Sequence, residues 1–411
     1  MKIVQVNTVC ERGSIPKIML NLYKSAEAMG HTCYIAYGRG SAPQNIRSYK
    51  IGTTLDFLCH VARNFVLGDS GFGSYHRTLR FLSWLDEVQP DILHLHNIHG
   101  FYIHIELLFD YIKKHNIRTI WTLHDCWTYT GQCAYYDYAN CTKWISQCHD
   151  CPIYNTSYPY SLFKDNSRNN YIRKKEAFSD VQNLTLITPS HWLENEVKKS
   201  FLGSYPFQTI HNSVDPNIFH YTPMSKQDLG KQLSDYSIDI SKKIILGVAN
   251  VWDNRKGLKF FKELHELLDE NYLIILIGLS KKQIKEIRNL SSDRFLPITH
   301  TSNAQELCLF YHIADVFVNP TLEDNFPTTN IEALACGTPV ITFDTGGSGE
   351  CIDSSCGVVL KDKTSTALAH AIQELETELT LDSNIIASKT PSKAASAQAY
   401  MDCYELFAKQ K

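Results

Sequence analysis

Between Thr321 and Glu350 the chain reads TLEDNFPTTNIEALACGTPVITFDTGGSGE. Its residue types suit a ligand that is part sugar and part phosphate. The carboxylates of Asp324 and Glu332 can accept from hydroxyls, and the bare backbone at Gly346 and Gly347 can donate to phosphate. A short helix between Pro327 and Gly337, followed by a strand over 339–343, must bring them to one end of one sheet. The stretch therefore reads as half of a nucleotide-sugar pocket. Glu332 carries two readings of equal weight. Thr329-Asn330-Ile331-Glu332 fits a capping box, in which Glu332 only satisfies backbone amides, and it fits a ligand-binding acid as well. Asp324 beside Glu323 is either a ligand or a solvated turn acid.

Upstream, IILGVANVWDNRKGLKFF places Arg255 and Lys256 between a strand and a helix expected over 256–268. Two cations at a helix start oppose the helix dipole, and a bound anion would resolve the conflict. A solvated basic turn is the plainer alternative. Gly13 follows the first strand, in CERGSIPKIML, where it permits close approach of backbone to a phosphate or sugar, or simply a tight turn. His124 ends the strand-like TLHD. His94, His96, His99 and His104 crowd HLHNIHGFYIH, but no carboxylate or thiol completes a tight set. Lining of a sugar site, or packing, accounts for them better than a metal does.

The chain has 13 cysteines, an odd number, and the N-terminal MKIVQVNTV lacks the apolar core of a secretory signal. A disulfide framework is not expected, and a cytoplasmic location is. Cys133, Cys141, Cys148 and Cys151 fall close together in GQCAYYDYANCTKWISQCHDCP. A pair spaced C-x2-C with two further thiols fits a structural zinc held by four thiolates, which leaves no open position for catalysis. Four incidental loop cysteines are the alternative.

The elements that must hold these groups alternate as strand and helix throughout 411 residues of 44% hydrophobic and 20% charged composition. That length exceeds one ordinary core, and repeated βα units demand parallel sheets with helices on both faces. The expected fold is α/β, with two doubly wound, Rossmann-like domains facing a cleft. Residues 1–220 form the first, with the Cys-rich loop at 131–152, and residues 221–390 the second. A C-terminal helix over 391–411 carries Ala397, Met401 and Tyr404 at helical spacing and packs on either domain. A net charge of -3 gives no reason to expect nucleic acid. No apolar run is long enough to span a bilayer. The apolar Leu55–Leu67 stretch and the basic Arg168–Lys175 stretch allow peripheral membrane contact, and core packing and a solvated face explain them equally.

EDNFPTTNIEALACGTPVITFDTGGSGE resembles the signature of the GT-B glycosyltransferases of family 4, retaining enzymes that use nucleotide-sugar donors. The resemblance implies that Glu332 holds the donor ribose and that Asp324 contacts the donor sugar. The commoner residue at the latter position is Glu, so either the loop sits closer or Glu323 substitutes. Asn325 and Phe326 belong to the same donor-binding stretch, and Gly346, Gly347 and Gly13 approach the diphosphate or sugar. Arg255 and Lys256 neutralise the departing pyrophosphate, and His124 lies against the sugar. Thr188-Pro189-Ser190 and His211-Asn212-Ser213-Val214-Asp215 match architectural landmarks. The resemblance further implies a UDP- or GDP-sugar donor, a saccharide or lipid-linked acceptor in cell-surface polysaccharide synthesis, and no catalytic metal. A nucleotide-sugar epimerase on the same scaffold, or a non-catalytic zinc-loop interaction protein, would be the competing readings.

Overall fold

The computed structural model describes residues 1–11, 13–290, 293–377 and 381–409. The chain divides into two compact units, Met1–His211 joined by the stretch from Ala394 onward, and Asn212–Lys393.

The strands of unit 1 are β1 (Lys2–Val9), β2 (Thr32–Arg39), β3 (Ser48–Lys50), β4 (Ile92–Leu95), β5 (Arg118–Thr122), β6 (Leu184–Thr188) and β7 (Phe207–Thr209). Its helices are α1 (Ser14–Ala28), α2 (Thr54–Leu67), α3 (Tyr75–Val88), α4 (Ile105–His115), α5 (Ser167–Phe178) and α6 (His191–Lys198). The seven strands are all parallel, in the order β3-β2-β1-β4-β5-β6-β7. Alternation along each strand sends side chains to two cores, one per face. Val4, Val6, Leu93, Leu95 and Trp121 enter one. Ile3, Ile35, Ile92, Ile120 and Ile187 enter the other.

Unit 2 holds β8 (Lys243–Val248), β9 (Tyr272–Ile277), β10 (Phe295–Ile298), β11 (Val316–Asn319), β12 (Val340–Phe343) and β13 (Gly357–Leu360). Its helices are α7 (Lys226–Gln232), α8 (Leu258–Leu267), α9 (Lys281–Arg288), α10 (Ala304–Ile313), α11 (Thr328–Ala335), α12 (Ser365–Thr377) and α13 (Ser383–Ser388). Six parallel strands run β10-β9-β8-β11-β12-β13. Every residue of β9 is buried, as a strand covered on both faces requires.

The final helix, α14 (Lys393–Lys409), brings Tyr400, Met401 and Tyr404 into the Ile3 core of unit 1. The Tyr404 hydroxyl lies 2.6 Å from His94 Nδ1, and Thr122 Oγ1 lies 2.8 Å from His94 Nε2. His94 is thus a fully satisfied core residue that fastens the C-terminal helix to β4 and β5. In each sheet the winding reverses beside the first strand, between β1 and β4 and between β8 and β11. Loops leave in opposite directions at such a point and open a crevice at the strand carboxyl ends.

Candidate functional site

In unit 2 the crevice lies between the loops that follow β8 and β11. The first carries a short helical turn, Asn254–Lys256, capped by Asp253, whose Oδ1 accepts from Lys256 N at 3.0 Å. Gly257 separates this turn from α8 with φ 77°, and an added Cβ there would stand 2.1 Å from Pro320 O. Only glycine fits, so the two loops are clamped together at this contact. Arg255 and Lys256 therefore precede the helix and do not form its first turn, contrary to the sequence expectation. Arg255 Nη1 donates to Glu323 O at 3.1 Å. Lys256 Nζ meets Asp324 Oδ2 at 2.5 Å. The Glu323 side chain is buried and that of Asp324 is 13% exposed. Asn325 and Phe326 are buried beside them, and Phe326 O faces Asn212 Nδ2 at 3.4 Å.

The helix bearing Glu332 starts differently from the capping box expected. Its N-cap is Pro327, no side chain caps it, and Thr328 is its first residue. Glu332 thus lies beyond the first turn, too far along to cap. Its Oε2 accepts from the buried Tyr311 hydroxyl on α10 at 3.0 Å. That bond steers the acid from behind. Asn330, two residues earlier, is buried and bridges Asn319 to Ser348 O, tying the end of β11 to the turn after β12.

After β12 the chain enters the Gly346-Gly347 turn, with Gly346 at φ 56°. Two hydroxyls flank it, Thr345 Oγ1 and Ser348 Oγ, both buried and without a hydrogen-bond partner among the described residues. A buried hydroxyl left unpaired costs about 1–3 kcal/mol. Two at one turn mark a place where a polar ligand would complete the bonding. Glu350 closes the turn, partly exposed.

In unit 1 the corresponding strand ends carry Gly13 and His124. Gly13 is exposed at the start of α1 with φ 106°, a backbone conformation that favours glycine. His124 sits at the end of a polar chain. Gln5 Nε2 donates to Met19 O at 3.1 Å, leaving Gln5 Oε1 to accept from His96 Nε2 at 3.2 Å. His96 Nδ1 must then accept from His124 Nε2, 3.1 Å away. This network assigns the proton of a neutral His124 to Nε2. Burial holds the His124 imidazole down at about 4, against the opposing pull of Asp125. His96 is pushed well below its ordinary value by burial and by its histidine neighbours. His99 is engaged elsewhere, with Asp125 Oδ2 at 2.8 Å and the Tyr158 hydroxyl at 3.2 Å.

The loop after β5 gathers Cys133, Cys141, Cys148 and Cys151 in one neighbourhood. Burial raises the thiols of Cys133, Cys148 and Cys151, and their mutual repulsion adds to it. Cys148 Sγ accepts from Gly131 N at 3.1 Å. Lys174, fully buried on α5, donates to Trp127 O and Thr130 O at 2.7 and 3.1 Å and so anchors the loop. Among the described residues, a group whose ligand atoms all lie within 4.8 Å of one another is Cys308, His312 and Cys336. That trio could hold a metal ion. The sequence reading missed it because Cys308 and His312 lie on α10 and Cys336 at the end of α11. Only the packing of those helices joins them.

Two family models match the chain, "Glycosyltransferase Family 4" over residues 16–218 and "Glycosyl transferases group 1" over residues 242–378. The chain is 23% identical over 379 residues to the putative colanic acid biosynthesis glycosyl transferase WcaC of Escherichia coli K12, covering 88% of each. Among solved structures, sucrose-phosphate synthase of Thermosynechococcus elongatus superposes with a TM-score of 0.73 at 15% identity, over 100% of both chains. HepE of Anabaena, in complex with UDP-glucose, superposes with a TM-score of 0.67 at 12% identity, over 98% of this chain and 99% of that one.

Proposed function

The chain belongs to the group 1 and family 4 glycosyltransferases of GT-B fold, and from that premise we propose that it moves a sugar from a nucleoside-diphosphate sugar to a hydroxyl of a saccharide or lipid-linked acceptor, with retention at the anomeric carbon. The observation that carries this reading is the convergence at the unit 2 switch point. There a cation pair, two acids and a turn with two unpaired buried hydroxyls end adjacent strands. The likeness to WcaC, named for colanic acid biosynthesis, favours a cell-surface polysaccharide as the product. HepE in complex with UDP-glucose favours UDP as the donor base, with GDP the alternative.

Departure of a nucleoside diphosphate builds negative charge on its outer phosphate. Lys256 and Arg255, with amides of the Gly346-Gly347 turn, are placed to hold that charge, and preorganised donors of this kind favour the transition state over the ground state. Glu332, steered by Tyr311, accepts from the ribose hydroxyls. Asp324, Asn325 and Phe326 shape the donor-sugar end. Asp324 fills the first-acid role because Glu323 is buried. The shorter aspartate reaches out while Lys256 holds it. On unit 1, Gly13 leaves room for close approach of backbone, and His124 is the group proposed to serve a sugar hydroxyl. No group here is assigned as a carboxylate nucleophile, so the acceptor attacks on the face the diphosphate leaves, with that phosphate as base.

No helix among the described residues is long and apolar enough to cross a membrane. All 13 cysteines are free, which suits a reducing cytoplasm. As for metal, the Cys308, His312 and Cys336 set is the soft nitrogen and sulfur donor group that zinc takes, and it would fill three of zinc's four positions. A thermal-shift screen of UDP-, GDP- and ADP-sugars tests the main reading. A true donor raises the midpoint of the wild type. It fails to do so in Lys256→Ala and Glu332→Ala. Equal shifts in all three proteins would overturn the assignment, and product formed without acceptor would favour an epimerase.

A further inference from the structure

Two side-chain contacts between α10 and α11 lie one helical turn apart. In the first, the Tyr311 hydroxyl on α10 donates to Glu332 Oε2 on α11 at 3.0 Å. In the second, Cys308 Sγ on α10 stands 3.4 Å from Cys336 Sγ, directly after α11, and 3.5 Å from His312 Nδ1. Cys308 and Tyr311 are three residues apart on one helix, and Glu332 and Cys336 are four apart on the other. Those spacings put side chains on one helix face. The acid and the thiols therefore share one seam. Cys308, Tyr311 and Cys336 are all buried in it. Thr338 Oγ1 donates to Tyr311 O at 2.6 Å, which ties the turn after α11 to the same point on α10.

The trio already has the dimensions of a metal site. Tetrahedral zinc, with Zn–S of about 2.3 Å and Zn–N of about 2.0 Å, sets two sulfurs about 3.8 Å apart and sulfur and nitrogen about 3.5 Å apart. Against separations of 3.4 and 3.5 Å here, zinc asks the thiols to part by only about 0.4 Å. The metal takes the place of the two thiol protons. The His312 ring proton, which Nδ1 shares with Cys308 O at 2.8 Å, passes to Nε2. The exposed Thr222 N, now 3.2 Å from Nε2, then turns to water.

We propose that zinc held by Cys308, His312 and Cys336, with water in the fourth position, regulates the donor site by fixing the α10–α11 seam and so holding Glu332 in place. The inference rests on the reading of Glu332 as the ribose-binding acid, and it adds a control on that acid from behind. A seam fixed beforehand need not be ordered when nucleotide binds, so each ligand strengthens the other.

Calorimetric titration of the full chain with UDP, GDP and ADP tests it, first after stripping with a chelator and then with one equivalent of zinc restored. At least one nucleotide binds about fivefold or more tightly with zinc present, the low end of common coupling between sites. Zinc affinity, read by competition with a chromophoric chelator, rises by the same factor when that nucleotide saturates. Tyr311→Phe takes up zinc as the wild type does, but its nucleotide affinity no longer responds to the metal. Cys308→Ser takes up none and binds nucleotide as the stripped wild type does. A smaller zinc effect in the wild type, or an equal effect in Tyr311→Phe, overturns the coupling and leaves the donor reading standing. A stripped chain that has lost its melting transition shows the metal holding the fold, which also overturns regulation. Zinc uptake with no nucleotide bound in either state overturns the donor reading, and this inference with it. A wild type that takes up no zinc overturns the site itself.

Discussion

Lys256→Met separates two roles that one short contact combines. Lys256 and Asp324 have side chains only 23% and 13% exposed, so their 2.5 Å pair is largely shielded from water. Removing the ammonium strands a carboxylate in that site, at a cost of about 2 kcal/mol. For a unit of this size the thermal midpoint falls by about 4–8 °C. If Lys256 also holds charge on the departing diphosphate, kcat falls about 10²- to 10³-fold, as for loss of one preorganised donor. Stability loss alone would not do this at a temperature where the variant stays folded. The double variant Lys256→Met/Asp324→Asn divides the effects. Neutralising the stranded acid recovers most of the midpoint, because no unpaired charge remains. Turnover stays low, because the leaving group still lacks its cation. Release of nucleoside diphosphate with the donor found by screening, read beside the melting curve, supplies both numbers. If the double variant regains turnover to within about threefold of wild type, Lys256 serves only to satisfy Asp324 and the proposed role is wrong.

Glu332→Ala weakens donor binding by about 10- to 100-fold through two lost charge-assisted bonds. Tyr311→Phe, which removes only the steering hydroxyl, weakens it less than about tenfold, and a larger loss would show that the tyrosine does more than orient the acid. Burial lowers His60 and His94 to about 3 and His124 to about 4 in the folded chain. Because the unfolded chain then binds more protons below about 6.5, this stability is fully present above that pH and is lost as pH falls toward about 3. The unit 1 melting midpoint therefore drops between pH 7 and pH 5, and the drop is shallower in His94→Gln; parallel profiles would refute this account. Metal analysis of the purified chain finds about one zinc, absent from Cys308→Ser and retained in Cys141→Ser, and a metal-free wild type would dispose of the zinc assignment.

The doubly wound fold was legible because strands alternate between two cores and most crossovers are helices, some ended by a clear breaker such as Gly30 or Pro90. Those signals are local. The acid-helix-glycine stretch was legible for the same reason, since one segment supplies its two acids and its turn. Local signals also misled. Thr329 to Glu332 spells a capping box, yet Pro327 pins the chain and starts the helix at Thr328, which carries Glu332 past the capping position. What stayed hidden depends on groups far apart in the chain. His94 in DILHLH gives no sign that Tyr404 will satisfy it, and the pairing removes it from any ligand set. The unpaired hydroxyls of Thr345 and Ser348 look like ordinary turn residues until the turn is buried. The loop thiols have the spacing of a zinc site in sequence, whereas the set drawn together within 4.8 Å comes from residues far apart in the chain. Cys308 and Cys336 meet because two helices cross.

The placement of the cations follows from topology before it follows from chemistry. A parallel sheet must reverse its winding somewhere, and beside β8 that reversal leaves a gap which the Gly257 contact with Pro320 closes at its base. The loop that can reach over the gap is the one carrying Arg255 and Lys256, and the loop opposite carries Asp324. Lys256 pairs with Asp324, and Arg255 donates to the Glu323 carbonyl and approaches Asp253 at 3.5 Å. The turn after β12 adds two buried hydroxyls with no partner among the described residues, and α11 adds Glu332, held by Tyr311. Cations, hydroxyls and an acid at one end of one sheet suit a ligand that carries both phosphate and hydroxyls. The site therefore reads as one for a nucleotide-linked sugar more than as a general anion hole.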